Sequence, residues 1–182
     1  MLDGQIVAAL IAEIKRQLNL YGVSDLRVSR RSQPTRQHSG AAQGAEKYQV
    51  FIEPVTNTNI GWGRTYSQQP DESLGLTINH VKQKTYQISA LSDFDPANPS
   101  DIPAHDLAHI VADTLEHPDS IRALKSAGVN ILSCTPVRPA FDLNESDQWE
   151  STPSFDVVVS YNTQYTKPAQ VVGDTIGAVG RV

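Results

Sequence analysis

A chain of 182 residues, 39% hydrophobic and 19% charged, is long enough to bury a one-domain core without disulfides or a structural metal. Its formal net charge of −5 argues against broad nucleic-acid binding, which needs clustered lysine and arginine, and its one cysteine, Cys134, forms no internal disulfide. No stretch approaches the ~20 apolar residues of a membrane span, and the first apolar run, Ile6 to Ile14, is broken by Glu13 and followed by Lys15 and Arg16, unlike a signal peptide.

These features predict a soluble chain made in a cytoplasm: a globular core carrying extended polar loops. The opening segment predicts an amphipathic helix from about Asp3 to Tyr21, with Asp3 at its start and Gly22 as the stop. Ile6, Val7, Leu10, Ile11, Ile14, Leu18 and Tyr21 fall on one side at helical spacing and should pack on a sheet. A short strand over Leu26–Ser29 follows. Residues 30 to 46 then show no apolar periodicity, a long polar loop of the kind that usually serves a function.

Tyr48–Val55 alternates as a strand and is expected to close at Pro54 and the turn-forming Asn57-Thr58-Asn59, with Gly61-Trp62-Gly63 as a tight loop or bulge. Gln68–Ser73 reads as another loop, and Leu74–Leu91 as the longest β tract. After a loop over Asp93–Asp101, Pro103 opens a second helix whose buried stripe is Ala104, Leu107, Ala108, Val111 and Leu115. A shorter helix, Ser120–Ala127, is entered by Pro118-Asp119 and ended by Gly128. Val129–Val137 and Phe155–Tyr161 read as strands flanking an irregular acidic stretch, Asp142–Glu150. Val171–Val182 is glycine-rich and reads as the core of a C-terminal arm beginning near residue 168. With no βαβ alternation, the order predicts an α+β fold in a single domain over 1–182. Its sheet is mostly antiparallel, with the N-terminal helix and two central helices on one face.

Few residues carry recognisable chemistry. His105 and His109 stand at i and i+4, the spacing of a shared zinc ion, with Asp106 where a zinc hydrolase carries glutamate. The buried stripe of their helix turns them to the opposite, polar face, which favours a solvated or subunit-contact role over a metal-dependent enzyme. Cys134 in its β-like run reads as a buried structural cysteine rather than a nucleophile. The glycines at 61 and 63 lack the strand-to-helix setting of a nucleotide loop, and the carboxylates show no acid–base pairing by spacing. No catalytic residue, metal or cofactor is expected. Arg30, Arg31, Arg36 and Lys47 gather positive charge on an acidic chain. They suit either passing DNA or an acidic neighbouring subunit, or form an ordinary solvated loop.

Taken together, the N-terminal helix, the long polar loop, the tract Thr85-Tyr86-Gln87-Ile88-Ser89-Ala90-Leu91 before a loop and the helix Ala104–Leu115 resemble the neck or tail terminator proteins of long-tailed bacteriophages. Ile121-Arg122-Ala123-Leu124 running into Gly128-Val129, and the late strand Phe155-Asp156-Val157-Val158-Val159, fit the same pattern. The likeness covers most of the chain as an order of elements and apolar positions. The Asp93–Pro103 loop is longer and the Asp142–Glu150 stretch more acidic than that pattern. The resemblance implies a non-enzymatic virion subunit, assembled in the host cytoplasm, that forms a homohexameric ring capping the tail tube. Its implied partners are further copies of itself, the tail tube protein, a head-side connector or stopper and the sheath protein, with DNA only as passing genome. Another neck or tail-completion subunit is the nearest alternative.

Overall fold

The structure is a computed structural model and describes residues 3–30, 46–68, 74–139, 141–143 and 149–168. Helix α1 (Asp3–Leu20) is followed by β1 (Leu26–Arg30), β2 (Tyr48–Gln68) and β3 (Leu74–Ser92). Helices α2 (Ala104–Glu116) and α3 (Pro118–Ser126) precede β4 (Val129–Cys134), β5 (Phe141–Leu143), β6 (Trp149–Ser151) and β7 (Ser154–Pro168). The strands order as β1-β2-β3-β7-β4, with only β1–β2 parallel, and β5 and β6 form a separate two-stranded sheet. This is the α+β architecture expected, a mostly antiparallel sheet with three helices.

The periodicities explain the core. Successive strand residues face opposite sides, so Val50 and Ile52, then Tyr86, Ile88 and Ala90, then Phe155, Val157 and Val159 line one face. The apolar stripes of α1 (Ile6, Leu10, Ile14, Leu18) and α2 (Leu107, Ala108, Val111, Leu115) close over that face, and all of these residues are buried. α2 packs on β3, α3 on β4, and α1 against β1 and α2. A polar bridge fixes α1 to α3 within this layer. Gln17 Nε2 donates to Ser120 Oγ at 2.7 Å and to Glu13 Oε1 at 3.0 Å, while Arg16 donates to both carboxylate oxygens of Glu13 at 2.6 and 2.9 Å.

Helix α1 stops for a specific backbone reason. Val23 N–H donates to the Leu18 carbonyl and Gly22 N–H to that of Asn19, while Gly22 takes φ +81°, completing a Schellman cap with Val23 and Leu18 both buried. Nothing lies within 4 Å of a Cβ added at Gly22. Gly22→Ala should therefore cost only the left-handed backbone penalty, about 1 kcal/mol in urea unfolding. A substitution without effect would show that the cap does not constrain the chain.

Several boundaries differ from the sequence expectations. β2 does not close at Pro54 but runs through Asn57-Thr58-Asn59 and Gly61-Trp62-Gly63 to Gln68, paired with β3 throughout. Register shifts at Pro54/Thr56 and Asn59/Gly61 leave Val55 and Ile60 as extra residues, so bulges absorb what the local sequence marks as turns. β4 ends at Cys134 rather than Val137, and β7 continues seven residues past Tyr161. The stretch expected to be irregular around Asp142–Glu150 holds the short strands β5 and β6. The body of the polar loop, the residues joining β2 to β3 and the arm beyond residue 168 lie outside the described residues. Among the described residues no helix is long and apolar enough to cross a membrane.

Candidate functional site

Of the four cations singled out in the sequence, the two that are described, Arg30 and Lys47, are not brought together. Arg30 ends β1 and donates from Nη2 to Asp3 Oδ2 at 3.1 Å. Lys47 precedes β2 and pairs with Asp101 at 2.6 Å, tying down the loop before α2. Because Leu26 pairs with Tyr48 and Arg30 with Ile52, the two residues stand at opposite ends of the β1–β2 pair, roughly 15 Å apart at strand spacing. Arg31 and Arg36 lie outside the described residues. The Asp101 side chain is only 3% exposed, and the Lys47 ammonium beside it holds its carboxyl below the usual range. Both described cations are thus engaged within the chain.

The histidine pair sits as the stripe of α2 requires, on the exposed face, with ring centroids 4.6 Å apart in an edge-on arrangement. Asp106 lies 3.8 Å from His105 Nδ1. Among the described residues no three His, Cys, Asp or Glu side chains converge to hold a metal ion. Cys134 is half-buried, and burial, aided by the Glu116 charge, pushes its thiol up to about 12. It is a protonated wall group at neutral pH, not a thiolate nucleophile.

The structure does create two surfaces that the sequence motifs did not announce. The first is a projecting ribbon. β1 pairs with β2 only as far as Ile52, and β4 pairs with β7 only over Val157–Tyr161. Beyond these points β2, β3 and β7 continue as three strands. The register places Trp62, Arg64 and Tyr66 of β2 on one face with Ile78, His80 and Lys82 of β3 and Thr163 and Tyr165 of β7. This is the core face carried past its helices. Trp62 is 61% exposed and Tyr165 60%. Arg64 stacks on Trp62, its guanidinium carbon 4.4 Å from the ring centroid, a cation–π contact that pre-orders both side chains. The opposite face carries uncharged residues such as Thr77 and Thr166, whose hydroxyls lie 3.1 Å apart. From Val55 in β2, up to Thr85 in β3 and from Val157 in β7, the described strands of the ribbon carry Arg64, Lys82, Lys84 and Lys167 and no carboxylate, while Asp71 and Glu72, in the sequence joining β2 to β3, lie outside the described residues. The alternation Trp62, Arg64, Tyr66 against Gly63 and Thr65 was its available sequence signal.

The second surface is the outer side of α2. Asp106, His109, Asp113 and Glu116 recur at spacings of three and four, so they form one exposed stripe on a helix without lysine or arginine. Asp113, Glu116 and His109 rim a groove of about 230 Å³, floored and walled by Ala112, Cys134, Thr135, Pro136 and Val137. It is smaller than the ~300–1,000 Å³ of ordinary ligand pockets and open, so it suits a single protruding side chain rather than an enclosed substrate.

Neither surface holds a catalytic constellation. The sequence model of a family described as E217 gateway protein gp29 matches residues 5–171 of the chain. No curated protein matches it.

Proposed function

The chain belongs to the E217 gateway protein gp29 family, a phage head–tail gateway family, and from that premise we propose that it is a structural subunit forming a closed homo-oligomeric ring in the phage neck. The ring terminates the tail tube and joins it to the head-side connector, leaving a lumen for the genome. The observation that carries this reading is the ribbon. Roughly half of the β2–β3 pairing lies beyond the helices and exposes the large aromatic side chains Trp62 and Tyr66 on a face that no described helix covers. Such surface is costly to leave in water, and contiguous exposed apolar area marks an interaction site.

A subunit that extends a strand ribbon past its own core gains most by packing it against a neighbour. Head-to-tail contacts of that kind close into a ring when the rotation permits. Tail tube protein, head-side stopper or connector and sheath protein are the proposed neighbours along the axis. Arg31 and Arg36, with Arg30 and Lys47 at the ends of the same segment, are proposed to face DNA in the lumen or an acidic neighbour. Light scattering across a concentration series, with electron microscopy of any large species, tests the ring directly. The expected result is a closed particle of about six copies. A chain that stays monomeric both alone and with purified tail tube would overturn it.

A further inference from the structure

We infer that the basic aromatic face of the ribbon docks into the acidic α2–β4 groove of a second copy of this chain, so that each subunit offers one knob and one socket. The inference rests on the ring reading and names the contact that would close it. Four observations converge on it. Charge is segregated along the described elements: the ribbon strands carry Arg64, Lys82, Lys84 and Lys167 without a carboxylate, whereas α2 carries Asp106, Asp113 and Glu116 without a lysine or arginine, on a chain of net charge −5. Lys84 is already paired with Asp3 at 2.6 Å, leaving Arg64, Lys82 and Lys167 as the cations on the face that bears the exposed aromatics, Arg64 and Lys82 on the side of Trp62 and Lys167 beside Tyr165.

Two like ribbons facing each other would set cation against cation, and two α2 stripes carboxylate against carboxylate. A symmetric dimer through either patch is therefore disfavoured, and pairing of unlike patches is favoured. The residue types also fit: Trp62, Arg64, Tyr66 and Tyr165 belong to the classes enriched at interface centres, and the Arg64–Trp62 stack presents them with little freedom left to lose. Finally, the shapes match. The ribbon runs about a dozen residues past the helices, a reach of roughly 40 Å, and the groove admits one large side chain between Asp113 and Glu116 on one wall and Cys134 and Val137 on the other.

Charge reversal in the full chain tests this contact. Arg64→Glu with Lys82→Glu should raise the concentration at which the ring dissociates by at least about tenfold, and Asp113→Lys with Glu116→Lys should do the same. All four changes in one chain should restore assembly, because the pair is swapped rather than removed. Arg64, Asp113 and Glu116 are exposed and Lys82 is partly exposed, so thermal melts of the variants should stay close to the parent. Should the reversed ribbon fray, Arg64→Gln with Lys82→Gln probes the same contact more gently. A ring indifferent to both reversals, or one not restored by combining them, sinks the inference and leaves the ring standing. Loss of duplex-DNA retention in the ribbon variant, with the ring unchanged, assigns the face to nucleic acid instead. A parent that is monomeric at every concentration, both alone and with purified tail tube, removes the ring and this contact together.

Discussion

Phe155→Ala should lower the unfolding free energy by about 3–5 kcal/mol. The ring is fully buried on β7, beside Ile88 of β3 in the ladder and under the apolar stripes of the helices. Truncation removes its transfer energy and leaves a cavity that two hydrogen-bonded strands cannot collapse to fill. Against a total stability of roughly 5–15 kcal/mol for a domain, that loss is large, and at this chain length it corresponds to a melting shift of about 10 °C. Urea unfolding followed by far-UV circular dichroism measures it, as a lower midpoint with unchanged slope. Tyr165→Ala is the internal control. It stands on the same strand and the same face, ten residues further on, yet is 60% exposed. Its loss should change subunit stability by less than about 0.5 kcal/mol. Equal effects at the two positions would mean that the ribbon is packed within the subunit, contrary to the structure.

That contrast also shows what was legible in the sequence. Helical spacing in Ile6–Leu18 and Leu107–Leu115, and alternation in Thr85–Leu91 and Phe155–Tyr161, identified the core because burial imposes those periods on apolar residues. Of the ribbon, β3 was legible as the long tract Leu74–Leu91, but the far half of β2 and the end of β7 were hidden because the β2 residues there are largely exposed. Asn, Thr and Gly then occupy strand positions without penalty, and the local sequence imitates turns. Only pairing with β3 over nineteen partnered positions overrides that local signal. The α2 stripe was partly legible, since the same period that buried Leu107 and Val111 had to expose His105, His109 and Asp113. The groove was not, because Thr135, Pro136 and Val137 reach it through the β4–β7 pairing, a contact far apart in sequence. Charge alone pointed to residues 30 and 47 but did not reveal their ion-pair partners Asp3 and Asp101, which are likewise distant in the chain.

Replacing Asp3 by asparagine should lower stability at neutral pH by about 1–3 kcal/mol, and that deficit should vanish in acid. Asp3 opens α1, where a negative charge suits the helix dipole. Its Oδ1 accepts from Lys84 Nζ at 2.6 Å and from the Tyr86 hydroxyl at 2.5 Å, and its Oδ2 accepts from Arg30. One carboxylate therefore joins the first helical turn to β1 and to the middle of β3, at the point where the covered sheet passes into the open ribbon. Burial on its own pushes the Asp3 carboxyl up, but the hydrogen bonds from Lys84 and Tyr86 and the charges of Lys84 and Arg30 outweigh it and hold it below 3.8. Burial and the same carboxylate push the Tyr86 phenol far up, so it remains a donor. A folded-state value depressed below the unfolded one contributes stability that is complete above 3.8 and is lost as pH falls through the folded value. Glu13 is depressed in the same way and is unchanged by the substitution, so the difference between parent and variant isolates Asp3. Urea unfolding from neutrality to well below pH 3.8 should show the two curves converging only once the pH has dropped below 3.8, toward the folded value. A gap that stays constant across the range would mean that Asp3 acts through shape and hydrogen-bond count, not through its charge, and that Lys84 and Arg30 are held by other forces.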